Sequence, residues 1–386
     1  MAEVVGWFPW QLFWGLPEDR WAGTGLRCRQ TPQRLCRKLS DGIEKLDKHS
    51  RKLSEESDKL DKQSPLANSR AAETGNAGGG SAVEGDAGTV PASLRALLTH
   101  LDGCSQDEAR EAVLELLALD APVRLVSCLA SLDFEAQKDA VRVFGAVLRY
   151  AADAEEELLE YMSSRPEIFH LLLDGSGTPE VFAHCAPMLR SCTRSPQLVK
   201  ALHEQGAAVR LIELARHNSF DVSSEAFASL RDLVLAQAAI SAAHLEANFA
   251  AFFPCYHILL QVEDYVIQRQ ALSFLAEILL GPSFEQVKLM YIGNEQFLQI
   301  HMNLLRDSSK AIQLDAFQIV KIFVGNEQMP RRVQKILYQN KERLAKLLET
   351  FGSKRERDKE LAADLKVVLG HLQDLQAPSL STQRSA

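Results

Sequence analysis

The segment YVIQRQALSFLAEILL, residues 265–280, decides the fold class of this chain. Its apolar residues recur at the three- and four-residue spacing of an α-helix, and Ile267 precedes Ala271 by four positions. The same arrangement returns in DFEAQKDAVRVFGAVLR (133–149), DVSSEAFASLRDLVL (221–235) and KAIQLDAFQIVKIFV (310–324). Short breaks rich in Gly, Pro, Asp, Asn or Ser separate these segments, so we predict a repeated helical unit.

The repeat becomes measurable when its central alanines are placed in register. They are Ala140, Ala186, Ala226, Ala271 and Ala316, at intervals of 46, 40, 45 and 45 residues. A period of about 40–47 residues with two or three helices per unit is typical of armadillo and HEAT repeats. The unit around Ala186 matches least well, because Arg190 and Arg194 occupy positions that are apolar elsewhere. We predict an all-α fold, an armadillo/HEAT-like right-handed helical solenoid over residues 91–376.

The remaining segments differ in composition from the repeats. Residues 1–30 contain all four tryptophans and are expected to form a disordered extension, with an aromatic interfacial anchor as the alternative. In 31–62, Leu39, Leu46, Leu53 and Leu60 recur every seven residues, which predicts an amphipathic helix packed on the body of the solenoid. Residues 63–90 are rich in Gly, Ala and Ser and predict a flexible linker, and 377–386 a disordered tail.

Composition excludes several classes of protein. The net charge of −8 argues against the basic surface that nucleic-acid binding requires. Seven cysteines without close pairs argue against a disulfide framework and favour a reducing compartment. No apolar run approaches the ~18–20 residues of a membrane span. We therefore expect no nucleic-acid partner and no membrane span.

Motifs for catalysis or metal binding are missing from the sequence. There is no H-E-x-x-H, C-x-x-C, G-x-S-x-G, Walker A or G-x-G-x-x-G motif, and no calcium-binding loop. Cys185 and Cys192 are seven residues apart on one helix face, too distant to chelate one ion, and are expected in the core. We predict a protein that is not an enzyme, with no catalytic residues, no cofactor and no metal.

Binding is the remaining function, and solenoids bind through an extended concave surface. Aromatic and arginine side chains often dominate such interfaces, and Phe220, Tyr265 and Arg269 lie where helices of the repeats begin. Tyr265 and Arg269 are four residues apart and therefore share a helix face. The alternative is that Phe220 packs against its own helix and Arg269 is a solvated charge.

At these residues the sequence resembles the calcium-binding protein 39 family, the "Mo twenty-five" kinase scaffold, over about residues 31–376. The segments that carry the resemblance are SLDFEAQKDA (131–140), PEVFAHCAPMLRSC (179–192), SFDVSSEAFASLRDL (219–233), EDYVIQRQALSFLAEILL (263–280) and MNLLRDSSKAIQLDAFQIVKIFVGN (302–326). The helix at 31–48 also resembles the amino-terminal helix of the family.

The resemblance implies a cytoplasmic, non-catalytic scaffold. It would bind and allosterically activate a STE-twenty-type serine/threonine kinase or a STRAD-like pseudokinase, in signalling of the cell-polarity type. A monomer is favoured. The alternative from another class is an armadillo-type adaptor that binds a non-kinase helix or peptide without affecting catalysis.

Two family surfaces map onto this sequence. The surface for the kinase body matches at Phe220, Tyr265 and Arg269, while a further basic residue is replaced by Ser273. The second is a pocket for a W-x-F-type tail, which keeps Met302. The basic residues expected in that pocket fall on Pro282, Gln299 and Gln339, so we expect a tail that ends in a carboxylate to bind weakly.

Overall fold

The computed structural model describes residues 32–62, 89–150, 155–353 and 359–378. These ranges hold 19 α-helices and no strand, so the predicted all-α fold is confirmed. The first ten helices are α1 Pro32–Lys62, α2 Thr89–Gly103, α3 Gln106–Ala118, α4 Ala121–Ser127, α5 Phe134–Tyr150, α6 Glu155–Ser163, α7 Glu167–Leu173, α8 Phe182–Cys192, α9 Pro196–Glu204 and α10 Ala207–Leu214. The remaining nine are α11 Phe220–Leu235, α12 Ala238–Ala247, α13 Phe249–Tyr256, α14 Tyr265–Leu280, α15 Glu285–Ile292, α16 Glu295–Leu304, α17 Lys310–Val324, α18 Arg331–Ser353 and α19 Lys359–Asp374.

The helices from α3 to α17 form five consecutive units of three. Each unit has two helices followed by a last helix, and the last helices are α5, α8, α11, α14 and α17. The central alanine of each last helix, at positions 140, 186, 226, 271 and 316, has no exposed surface. Contacts run from α5 to α8, from α8 to α11 and from α14 to α17, and between other helices of neighbouring units, which is the right-handed armadillo/HEAT-like solenoid that the period predicts.

Polar side chains set where several of these helices begin. Ser105 caps α3, and its backbone N–H in turn donates to the Glu108 carboxylate at 2.9 Å. The Asp264 carboxylate accepts from the backbone N–H groups of Val266 and Ile267, at 2.8 and 3.0 Å. Because a cap satisfies N–H groups that the helix itself leaves unpaired, α14 begins at a defined residue, Tyr265.

The amino-terminal helix α1 packs on α2, α3 and α4. Leu35, Cys36, Leu39 and Ile43 are buried in this contact, and Leu46 is half-buried. The side chains of the other two leucines of the seven-residue series, at positions 53 and 60, lie outside the described residues. The Arg124 guanidinium also donates to the Ser40 hydroxyl at 2.8 Å.

The expectations for the extension, linker and tail fall largely outside the described residues. Residues 1–31, 63–88 and 379–386 are not described. Helix α2 begins at Thr89, two residues before the boundary that composition suggests for the repeats. The reason is local, since Val90 is fully buried and therefore belongs to the packed body.

A buried polar chain crosses the core of the last two units. The Tyr291 hydroxyl lies 2.8 Å from His257 Nε2 and 2.7 Å from His301 Nε2. The Tyr291 hydroxyl has one proton, so it donates a hydrogen bond to one histidine and accepts one from the other. The histidine that accepts therefore carries its proton on Nδ1, and the histidine that donates carries its proton on Nε2. The rings of Phe253, Phe297 and Phe323 surround this chain.

Burial lowers the pKa of both histidines, to about 4 for His257 and about 3 for His301. A histidine whose pKa is lower in the folded state contributes stability that is complete above its unfolded pKa of 6.5 and is lost as the pH falls. Between pH 6.5 and 4 the free energy of unfolding should therefore fall by about 3 kcal/mol for each of the two rings. Urea unfolding at a series of pH values measures this fall.

The control is His301→Gln, which can still donate to Tyr291 but does not titrate. It should make the pH dependence between 6.5 and 5 shallower, because only His257 of the two rings still titrates, whatever the substitution does to stability at pH 7. Wild-type stability that stays constant from pH 7 to pH 5 would show that these rings are not held neutral.

Candidate partner-binding site

The strongly shifted titratable groups are structural. Burial raises the pKa of Cys36, Cys128 and Cys192 to about 12, so these thiols stay protonated and unreactive. Cys185 is fully buried as well, as expected for a core thiol. Within the described ranges, no group of three or more His, Cys, Asp or Glu side chains could hold a metal ion.

No single helix in the described part of the chain has the length and apolar composition of a membrane span. Only α11 and α12 together meet that composition test, and they are bent by 97° at the break between them.

Exposed aromatic side chains lie at the starts of last helices. Phe220 is the first residue of α11 and is 64% exposed, and Tyr265 is the first residue of α14 and is 45% exposed. A staple packed onto its own helix would be largely covered, so the exposure of Phe220 favours the binding interpretation over the structural one. The sequence prediction named both residues.

A third aromatic residue in the same position was missed. Phe134 begins α5 and is 59% exposed. Its ring makes an edge contact with His184 at 5.5 Å between centroids, and the Lys138 ammonium lies 4.1 Å from its centroid. The sequence offered a usable pattern, because Phe134, Phe220 and Tyr265 each follow an Asp or Ser at a helix start. We call these three side chains the aromatic edge.

Arg269 lies one turn after Tyr265, as predicted, but it is not a free charge. Its Nε is 3.3 Å from Asp315 Oδ2 on the next last helix, and its side chain is 55% exposed. The guanidinium therefore joins two units while it keeps one side in solvent. Ser273, which stands one turn further along the helix, is exposed and adds no charge.

The Arg269 pair belongs to a series of ion pairs along the row formed by α2, the last helices and α19, which we call the charge ladder. Its other pairs are Arg95–Asp139 between α2 and α5, Arg190–Glu225 between α8 and α11, Arg231–Glu277 between α11 and α14, and Lys321–Asp364 between α17 and α19. Arg190, which disturbed the apolar pattern of its unit, therefore has a defined partner. Most of these pairs join residues 43–46 positions apart, so opposite charges at the repeat period would have revealed them.

The second predicted surface is a cavity of about 300 Å³ between α16 and α18. Gln299, Met302 and Gln339 line it, together with the apolar side chains of Ile336, Leu344 and Leu347. Pro282 does not belong to it. This residue begins a short 3-10 turn before α15 and is exposed. We call this cavity the tail cavity.

The charge of the tail cavity differs from the expectation. Gln299 and Gln339 are neutral, but Arg306 and Arg343 line the same cavity. Arg306 follows Met302 by four residues, and Arg343 follows Gln339 by four, so each arginine is one turn from a predicted position. The expectation that this surface has lost its positive charge is therefore wrong, because the charge is supplied from neighbouring positions.

Comparison with known proteins adds four findings. A model of the Mo25-like family matches residues 81–376. The human protein "Calcium-binding protein 39-like" is 32% identical over 291 residues, which cover 74% of this chain and 86% of that protein. The "Mo25-like protein" of Schizosaccharomyces pombe is 33% identical over 254 residues, 66% of this chain and 77% of that protein. A designed armadillo repeat protein in complex with the peptide (KR)4 aligns with a TM-score of 0.38 and 18% identity, over 62% of this chain and 95% of its own.

The charge ladder makes a testable contribution to stability. Arg231 forms two hydrogen bonds with the Glu277 carboxylate, at 2.7 and 3.1 Å. Arg231→Glu should lower the free energy of unfolding by about 1 kcal/mol, because it places an acid opposite Glu277 and beside Asp232. Adding Glu277→Arg to the same chain should recover most of the loss, as measured by urea unfolding.

The matched control is Lys366→Glu. This lysine is exposed on α19 and has no ion pair in the part of the chain that the structure describes, so the same change of charge should have little effect. Equal losses in the two single variants would show that net charge matters rather than the pair.

Proposed function

The chain belongs to the Mo25-like family, and on this premise we propose that it is a non-catalytic scaffold that binds and activates a STE-twenty-type kinase or a STRAD-like pseudokinase. The observation that supports this most directly is the aromatic edge. Phe134, Phe220 and Tyr265 expose large apolar rings at the starts of three last helices. Large exposed aromatic side chains cost solvation free energy that a partner surface recovers.

The partner that fits this surface is a folded domain rather than a peptide. Phe220 and Tyr265 begin last helices of adjacent units, and Phe134 begins that of an earlier unit, so together they span several helices. Arg269 is held by Asp315 beside Tyr265, which fixes its guanidinium in place before binding. A side chain that is already ordered loses less entropy when the partner arrives.

Activation follows from preferential binding. A kinase alternates between an open and a closed state, and a scaffold that contacts the closed state more tightly raises the population of that state. The gain equals the ratio of the two affinities and requires no chemistry from the scaffold. The five-unit body of the solenoid provides a template of fixed shape for such a contact.

The tail cavity would supply a second contact. Its apolar side, near Met302 and Leu344, suits an aromatic side chain, and Arg306 and Arg343 suit a terminal carboxylate. A partner that uses both surfaces gains affinity by linkage, because docking of the body raises the local concentration of its tail. We propose that the protein acts as a cytoplasmic monomer in this way.

A phosphotransfer assay with and without the protein tests the proposal against the alternative of a non-kinase adaptor. We expect kinases in the material that the protein retains from its own cells, and a higher turnover of a retained kinase when the protein is added. Retention of a protein partner with no change in the activity of any kinase would favour the adaptor.

Removal of the aromatic edge should abolish kinase binding without unfolding the protein. Tyr265→Ala and Phe220→Ala should each cost about 2 kcal/mol or more of binding free energy, because exposed aromatic anchors dominate interfaces. Calorimetric titration of the kinase measures the loss, and the melting temperature should stay nearly constant since both side chains are already solvated.

Leu280→Ala is the matched control for this prediction. Leu280 is 63% exposed at the opposite end of α14, so the substitution removes a similar apolar surface away from the aromatic edge. Equal losses of affinity in Leu280→Ala and Tyr265→Ala would contradict the assignment.

The tail cavity should prefer a free carboxylate. A synthetic peptide that ends in Trp-x-Phe should bind about five- to tenfold more tightly with a free carboxyl terminus than with an amide, because Arg343 and Arg306 can form charge-assisted hydrogen bonds. Arg343→Gln should remove most of this preference in fluorescence polarisation.

Lys341→Gln controls for the general electrostatic field. Lys341 lies on the same helix, but its ammonium is over the Tyr338 ring at 4.8 Å and it does not line the cavity. If the amidated peptide binds wild-type protein as tightly as the free acid, the two arginines do not face the ligand.

A further inference from the structure

One step of the charge ladder differs from the others. Between α5 and α8, no ion pair joins the two last helices in the described part of the chain, although every other step among the last helices from α2 to α19 has one. Helix α8 carries no acidic residue at all, since its sequence is FAHCAPMLRSC. Arg142 on α5 instead pairs backward, with Asp102 on α2 and with Asp139 of its own helix.

A small cavity of about 60 Å³ lies at this step. Arg149 lines it from the end of α5, and Arg194 lines it from the residues that follow α8. Ser191 and Gly145 lie between them, where the helices approach closely: a Cβ added to Gly145 would lie 3.9 Å from Ser191 Oγ. The space holds a few water molecules, so it admits a carboxylate but no large side chain.

Both arginines line this cavity and are exposed to solvent. Within the described ranges neither guanidinium forms an ion pair, and the Arg149 guanidinium lies 5.8 Å from the centroid of the Tyr150 ring. Arg149 lies two turns after Arg142 on α5, and Arg194 follows the ladder residue Arg190 by four positions, just beyond the end of α8. Two like charges at one cavity repel each other, and an oxyanion between them would bind both.

We propose that an acidic side chain of the protein partner enters this cavity and completes the ladder at the α5–α8 step. The identification of the occupant as part of a protein rests on the proposed function. The carboxylate would accept hydrogen bonds from Arg149 and Arg194, the geometry in which arginine binds carboxylates most strongly. In the free protein the two charges are solvated.

The position of the cavity constrains the partner. Phe134 and Arg149 are at opposite ends of α5, and 15 residues of helix separate them by ~22 Å. A partner that covers both the aromatic edge and the cavity must therefore have a surface at least this wide, with apolar pockets on one side and an Asp or Glu on the other. Such a surface belongs to a folded domain.

The test supplies the missing carboxylate from within the chain. Ser191→Glu places an acid on α8 beside both arginines, and Ser191→Gln is its uncharged match, since both variants lose the hydrogen bond from Ser191 Oγ to the Pro187 carbonyl. Ser191→Glu should melt about 1–3 °C higher than Ser191→Gln at low salt, and this difference should shrink as salt is added. Identical melting temperatures at all salt concentrations would overturn the inference, and this readout requires no kinase.

Binding provides the second readout. Ser191→Glu should weaken binding of the retained kinase at least fivefold relative to Ser191→Gln, because the new carboxylate occupies the place of the partner's acidic side chain. The double variant Arg149→Gln with Arg194→Gln should weaken binding by a similar factor relative to the wild type. Equal affinities in all these variants, with Tyr265→Ala still defective, would overturn the inference while the proposed function stands. If wild-type protein binds no kinase, the proposed function fails, and the melting contrast alone decides whether the cavity takes a carboxylate.

Discussion

The structure depends on how closely successive last helices can approach. At the centre of each one an alanine is fully buried, and its single methyl group sets the distance to the neighbouring helix. Interaxial distances of ~8–10 Å require small side chains at the contact, and a larger residue there would cost ~1–3 kcal/mol through overpacking. Because the backbones are close, side chains that flank the alanines on the solvent side can reach across from one unit to the next.

Some of these flanking side chains stabilise the contact between units, and others are available to bind a partner. The ladder pairs are partly exposed, so each contributes little to stability, ~0–1 kcal/mol, and their main effect is to fix the register between units. The buried apolar side chains of the core, of which Leu230, Leu275 and Phe323 are examples, supply most of the favourable free energy of folding. Recognition is left to groups that neither the core nor the ladder uses, namely the aromatic edge and the arginines at the two cavities.

Much of the fold could be predicted from the sequence, because helical periodicity and its breaks are local. The sequence predicts both ends of the helix at 265–280 to the exact residue, because Asp264 directly precedes it and Gly281 directly follows it. Contacts between units were harder, because they depend on the register of helices some 45 residues apart. The prediction therefore placed Arg269 correctly on its helix but could not foresee Asp315 as its partner.

The tail cavity shows the same limit. It forms between α16 and the long helix α18, which follows the last complete unit and departs from the repeat. Comparing the sequence with the family pattern one position at a time shows a neutral Gln339 where a basic residue is expected. In the structure, Arg343, one helical turn away, lines the same cavity. A pocket keeps its electrostatic character when a charge moves by one helical turn, and only the three-dimensional arrangement reveals that exchange.

The unequal steps of the ladder also determine how the molecule deforms. A solenoid behaves as an elastic rod, and at the joint between α5 and α8, which has no ladder pair among the described residues, the packed faces of the two helices alone resist bending. Four further helix spacings lie beyond that joint, so a rotation of ~5° there displaces the far end by ~3–4 Å when each spacing is ~10 Å. Packing at this joint therefore sets the relative position of the amino-terminal and carboxy-terminal parts of the rod, and salt, which screens the ladder pairs at the other steps, should leave this joint unchanged.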